Sequence, residues 1–272
     1  MNRYNWISKT FGGLISGVIF PTKVECAQTE LPEGPVLLCA NHISGADVLL
    51  LISRTKRQVR FMAKKELFSI PFIGWLIRTM GAFPVDRAAM DVSAVKKGIK
   101  LLESGEMVGI FPQGTRCDGV HPATTEGLIH GGLGLIALRS KATILPVAIE
   151  TKNYKVRPFR RVRIIYGAPV PYGEYAALGE GRDGNLAVSR MIFERICQML
   201  PPPPPLPPNP PRARPPSRRQ NPAHGYLRRP APALHSGTAP KWRARRWHRP
   251  AGRFAPHSAA ACGSLPEYRT CP

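Results

Sequence analysis

Through the first 200 residues, short apolar runs alternate with longer segments of helical spacing, and this alternation limits the fold more than any other feature. PVLLCA (35–40), VRFMA (59–63), MVGIF (107–111), ATILPVAIE (142–150) and RRVRIIYG (160–167) read as strands. Between and after them, ADVLLLISR (46–54), residues 64–80, MDVSAVKKGIKLLESG (90–105), GLGLIALRS (132–140) and NLAVSRMIFERICQML (185–200) read as helices. In the third, Val95, Ile99 and Leu102 recur at helical spacing, and Gly105 fits its end. Strands separated by helices predict an α/β fold, a single domain with a central mixed sheet flanked by helices. Pro146 cannot donate to a ladder, so its strand is expected at an edge or beside a bulge.

Residues 1–30 are expected to be an apolar membrane-associating segment with a short N-terminal helix. WISKTFGGLISGVIF (6–20) has Trp6 at its edge and a single lysine. It is too short to span a bilayer comfortably but long enough to lie in the interface; a buried first helix is the alternative. FSIPFIGWLIRTMGAF (68–83) is equally apolar with one arginine. Residues 31–200 form the folded domain, long enough for a real core.

From Pro201 the composition changes. Nineteen of the 30 prolines and 13 of the 39 basic residues follow residue 200, with Glu267 the only acid there. The first 200 residues carry +10 and the rest +12. Residues 201–272 lack apolar periodicity and are expected to be a disordered Pro/Arg-rich C-terminal tail with a polyproline start. Such a tail suits an anionic partner or is an extension without function; no nucleic-acid fold signature accompanies it, so nucleic acid is not an expected partner. The charge of the domain itself suits an anionic substrate or an anionic membrane. Six cysteines, none in a CxxC pair, predict free thiols in a reducing cytosolic setting.

Polar residues interrupt the apolar pattern at strand ends. CANHISGADVLLL (39–51) carries Asn41, His42 and Asp47 between two apolar runs. Ser44 and Asp47 also fit a capping box for the following helix. GAFPVDR (81–87) ends in Asp86-Arg87, and FPQGTR (111–116) holds a tight turn in which Gly114 permits close approach. Arg116 can meet a phosphate with two parallel hydrogen bonds. Lys64 and Lys65 open the helix after VRFMA.

These blocks resemble the four motifs of the glycerolipid acyltransferases, the 1-acyl-glycerol-3-phosphate acyltransferase family. NHISGAD is similar to Asn-His-x4-Asp, GAFPVDR to Gly-x-x-x-x-Asp/Glu-Arg, FPQGTR to Phe-Pro-Glu-Gly-Thr-Arg, and ILPVAI (144–149) to Val/Leu-Pro-Val. The resemblance covers residues 10–200. It implies that His42 is the general base and that Asp47 holds its tautomer. It implies an acyl group moving from acyl-CoA or acyl carrier protein to the free hydroxyl of lysophosphatidic acid, giving phosphatidic acid. Glycerol-3-phosphate or another lysophospholipid is an alternative acceptor. Gly114, Thr115 and Arg116 would bind the acceptor phosphate, supported by Asn41, Lys64, Lys65 and Arg87, and Pro146 would line the acyl path. The co-substrate is the only cofactor implied, with no metal, and the expected place is the cytoplasmic face of a membrane, among phospholipids.

Gln113 stands where the family has Glu. If the acid serves to orient Arg116, glutamine does so less well, and a non-catalytic lipid-binding protein is the rival reading. HGGLG (130–134) is similar to an esterase oxyanion loop, but the chain has no Gly-x-Ser-x-Gly elbow. GLGLIA (132–137) matches a dinucleotide fingerprint, yet no good strand precedes it, so tight helix packing is the expectation.

Overall fold

A computed structural model describes residues 10, 12–28, 30–85, 92–203 and 269–270. The chain divides into two units, residues 1–204 with 265–272, and residues 205–264. The second unit, and with it nearly all of the expected tail, lies outside the described residues, as do Asp86 and Arg87.

The strands are β1 (Thr22–Cys26), β2 (Val36–Ala40), β3 (Val59–Lys64), β4 (Phe83–Val85), β5 (Met107–Ile110), β6 (Thr143–Thr151), β7 (Val162–Tyr166) and β8 (Arg269–Thr270). The helices are α1 (Asp47–Arg54), α2 (Pro71–Thr79), α3 (Val92–Glu103), α4 (Gly132–Ser140), α5 (Tyr172–Tyr175) and α6 (Gly181–Gln198). One sheet joins the strands in the order β4-β3-β5-β2-β6-β7-β1-β8. The pairs from β4 to β6 are all parallel, β7 runs antiparallel to β6, and β1 lies parallel to β7. The sheet is therefore mixed and the fold α/β, as the alternation of elements predicts.

β2 is buried on both faces, the usual condition of a central parallel strand. Val36, Leu38 and Ala40 pack in one core with Leu50 and Leu51 of α1. Leu37 and Cys39 pack in the other with Leu102, Leu133, Ile136 and Ile192 of the helices on the opposite face. The glycines of GLGLIA serve close packing: a Cβ on Gly134 would lie 2.0 Å from the Asn185 carbonyl of α6. The segment before α4 is a 3₁₀ helix, Pro122–Leu128, not a strand, which removes the dinucleotide reading.

Three expectations change. Residues 1–30 are not wholly a membrane segment, because Thr22–Cys26 supplies β1 of the sheet. The last part of the tail contributes a two-residue strand, β8, antiparallel to β1. Cys39, Cys117 and Cys197 are free, but Cys26 is disulfide-bonded, with its partner outside the described residues. Pro146 meets the second of its two expected placements: it sits not at an edge but beside a bulge, in an interior strand between β2 and β7. Its missing donor falls where the β6–β7 register slips by one residue, between Val147↔Tyr166 and Ile144↔Val170. The bulged partner chain spares the ladder bond that Pro146 cannot make.

Candidate active site

Parallel strands place all their carboxyl ends on one edge, where ligands of α/β sheets bind. NHISGAD follows β2, the two lysines stand at the end of β3, GAFPVDR ends past β4 and FPQGTR follows β5. The topology thus gathers on one edge groups that lie far apart in sequence.

Asn41 ends the β2–β6 ladder with its side chain. Its Nδ2 donates to the Ile149 carbonyl at 2.9 Å, and the Ile149 N–H donates to its Oδ1 at 2.7 Å. The amide is fully buried and engaged on both atoms. Asn41 is therefore a strut that lets the chain leave the sheet, not a substrate contact.

The next residue is held by four partners. The His42 N–H donates to Gln113 Oε1 at 2.7 Å, and its carbonyl accepts from the Cys117 N–H at 2.8 Å. Its ring stacks on Phe111 with centroids 4.0 Å apart and planes 14° apart. His42 Nδ1 lies 2.8 Å from Asp47 Oδ2. The same oxygen accepts the N–H groups of Ile43 at 2.7 Å and Ser44 at 2.8 Å. A carboxylate accepts only, so Nδ1 carries the proton and the lone pair of His42 falls on Nε2. Asp47 Oδ1 is buried and has no hydrogen-bond partner among the described residues, so all of the carboxylate's hydrogen bonds fall on the oxygen that faces His42. Asp47 reaches back to Ser44 as in a capping box while it orients the imidazole. The helix itself starts at Asp47, and Ser44 Oγ accepts from the Ala46 N–H at 3.2 Å.

Gly114, Thr115 and Arg116 are exposed on the turn after β5, with Gly114 at φ 65°. A Cβ on Gly45 would lie 3.3 Å from Arg116 Nη1, so the guanidinium rests over the NHISGAD loop. Arg116 makes no hydrogen bond or ion pair with a described residue and is available to an anion. Lys64 and Lys65 are exposed at the end of β3, and Lys64 lies 3.7 Å from Glu66. Arg87 lies outside the described residues.

The family model Acyltransferase matches residues 23–150. A 1-acyl-sn-glycerol-3-phosphate acyltransferase of Bacillus subtilis is 34% identical over 170 residues, covering 61% of this chain and 81% of that protein. The chain belongs to the glycerolipid acyltransferase family. A relative with the same description from Streptococcus pneumoniae is 39% identical over 113 residues, covering 41% of this chain and 40% of that protein. The crystal structure of the Thermotoga maritima 1-acyl-sn-glycerophosphate acyltransferase superposes with a TM-score of 0.56 at 23% identity, covering 72% of this chain and 77% of that one. That likeness supports the fold.

Within this acyltransferase fold, Gln113 does not face Arg116. It is 1% exposed and turned inward. Beyond its bond to His42, its Nε2 donates to Thr125 Oγ1 at 2.8 Å, and Thr125 Oγ1 donates to the Pro122 carbonyl at 2.7 Å. Pro146 does not line the cavity beside His42 either; it packs in the sheet, against Gly167. That cavity, of about 350 Å³, is walled by Met62, Val85, Val95, Ile110, Phe111 and Leu133 beside His42. Phe111 and Thr125 are functional neighbours to which sequence reasoning assigned no role. Phe111 stands in FPQGTR, so its motif was visible. Thr125 had no signal, since its partner Gln113 is 12 residues away across a loop.

Proposed function

We propose that the protein transfers a fatty acyl group from a thioester, acyl-CoA or acyl-acyl carrier protein, to the free hydroxyl of 1-acyl-glycerol-3-phosphate. The His42–Asp47 pair, with the unpaired Arg116 on the same rim, carries this reading. His42 Nε2 takes the acceptor hydroxyl proton as the oxygen attacks the thioester carbonyl carbon. The tetrahedral centre collapses with cleavage of the C–S bond. The leaving sulfur takes the proton back from His42, so the step balances without a further cofactor. Arg116, with the Gly114–Thr115 turn, holds the acceptor phosphate. Lys64 and Lys65 add positive charge at the same edge, and the family resemblance assigns Arg87 the same supporting role. The apolar cavity beside His42 suits an acyl chain.

The surface of α2 supports membrane association. Its sequence is PFIGWLIRT, yet Gly74 is its only buried residue. Phe72, Ile73 and Trp75 are exposed on it, with Leu67 and Ile70 just before it. A helix this apolar with its surface open suits the bilayer interface. Among the described residues no helix is long and apolar enough to cross a membrane. The place proposed is the cytoplasmic face of the membrane, among phospholipids.

The rival lipid-binding reading rested on the loss of charge at Gln113, and a glutamine turned away from Arg116 weakens it. The test is a panel of acceptors with one long-chain acyl-CoA in neutral detergent micelles, with free CoA and the lipid product measured by mass. Phosphatidic acid formed only with lysophosphatidic acid present, and lost in His42→Ala, is the expected result. CoA release without an acceptor would point to a hydrolase instead.

A further inference from the structure

Between β6 and β7 the chain runs KNYKVRPFRR, residues 152–161, with five cations and no acid. Lys152, Lys155, Arg157, Arg160 and Arg161 are all exposed, and none pairs with an acidic side chain among the described residues. In their midst Phe159 is 75% exposed. Its φ is 62°, a left-handed conformation uncommon for any residue with a Cβ, and Asn153 and Tyr154 share it. Such conformations persist where surrounding bonds determine them and are frequent at functional sites.

Those bonds are present. The Phe159 N–H donates to the Ile19 carbonyl at 2.6 Å, the Gly119 N–H to the Tyr154 carbonyl at 2.9 Å, and the Thr151 hydroxyl to the Arg161 carbonyl at 3.0 Å. The loop is thus tethered to the N-terminal segment, to the chain after Arg116 and to β6, while the phenyl ring is held outward. Ile19 closes the π-helical turn Ile15–Ile19, next to which Leu14 and within which Val18 are 54% and 58% exposed. A cleft of about 960 Å³ on this side is lined by Lys152, Arg160 and Arg161, and its two carboxylates, Glu25 and Glu150, are paired with Lys23 and Arg163.

Cations alone suit any polyanion. An outward aromatic ring among them, beside exposed aliphatic side chains, suits the boundary between lipid headgroups and acyl chains. The loop leaves the carboxyl end of β6, the same sheet edge that carries His42. The open helix α2 leaves this edge on the other side of the base, beyond β3. We propose that residues 152–161, with Leu14 and Val18, dock the domain on anionic phospholipid, with Phe159 entering the headgroup boundary. The proposal rests on the membrane-bound reading above and names the lipid charge that the surface selects.

The test is sedimentation of the full chain with vesicles of phosphatidylcholine, with and without phosphatidylglycerol. Arg157→Gln/Arg160→Gln/Arg161→Gln should lower partition onto the anionic vesicles about 100-fold, at roughly fivefold per charge. Phe159→Ser should lower it about tenfold even in high salt, because apolar burial is not screened. Both variants should keep wild-type kcat/KM in neutral micelles. Lys96→Gln/Lys100→Gln/Arg139→Gln removes the same charge from exposed positions on α3 and α4 and should change partition far less. Equal losses in the two triple variants would reduce the effect to net charge and overturn the proposal. Unchanged partition in the loop variants would overturn it too, as would a raised KM for an acyl carrier protein thioester with partition intact. A wild-type protein inactive in micelles would remove the acyltransferase reading while leaving the vesicle result to stand by itself.

Discussion

Gln113→Leu tests how the base is held. The substitution keeps roughly the volume of the side chain and removes both polar atoms from a site that is 1% exposed. The His42 N–H then loses its acceptor in a buried place, which costs about 1–3 kcal/mol. Thr125 loses the bond from Gln113 but keeps its own donation to Pro122, a further loss of about 0.5–1.5 kcal/mol. Stability should fall by about 2–4 kcal/mol, or about 4–16 °C in Tm for a domain of this size. The Cys117 and Asp47 bonds still hold the loop, so His42 shifts rather than detaches. A shift of about 1 Å costs about 10²-fold in rate. The expected readout is a kcat lower by about 10–100-fold with KM for both substrates little changed. Gln113→Glu should recover most of that kcat, because its carboxylate still accepts the His42 N–H. Thr125 must then turn its hydroxyl to the carboxylate and leave the Pro122 carbonyl unpaired, at about 1–3 kcal/mol of stability. Steady-state kinetics and thermal melts on the three proteins decide the matter. A Leu variant as active as wild type, or a Glu variant as slow as Leu, would refute this account of Gln113.

His42→Ala should lower kcat about 10²–10⁴-fold without loss of fold, and Asp47→Asn should lower it less, since the carboxylate only orders the base; near-normal turnover by folded His42→Ala would remove the assignment. Arg116→Ala should chiefly raise KM for a phosphorylated acceptor, because it binds a group that does not react, and a raised KM for acyl-CoA instead would move the phosphate site elsewhere. Glu25 titrates below its usual range, mainly through its hydrogen bond from Arg163 and also through Lys23. Its contribution to stability is therefore complete above the ordinary carboxylate pKa of about 4.5 and is lost as pH falls through the lower folded value. Urea midpoints measured from pH 6 to pH 3 should fall more steeply in wild type than in Glu25→Gln; parallel curves would show that this pair adds nothing to acid resistance.

Much of the site was legible because its parts are local. The spacing of His42 and Asp47 brings them together within one loop and the first turn of α1, and their bond spans only five residues. The glycine turn before Arg116 is equally local, and so is the helical or alternating period that marks α3, α4 and β7. β4 escaped detection because three residues carry too little pattern, and β1 because charged residues at two of its five positions break the apolar run that marks β2.

Local sequence pattern marks five of the strands, five of the helices and the motifs at the strand ends. These depend on neighbours two to five residues apart. Only the tertiary structure decided the strand order and therefore which strand end meets which. Asn41 reads as a ligand until Ile149, 108 residues away, takes both atoms of its amide. Gln113 reads as a partner of Arg116 until the His42 N–H, 71 residues away, takes its oxygen. Pro146 reads as an edge or bulge residue, and the placement of β6 between β2 and β7, with a one-residue bulge opposite, selects the bulge. A buried polar group must find a partner, but local periodicity does not specify one at such separations. The partner is set when the sheet assembles and the two chains come within about 3 Å.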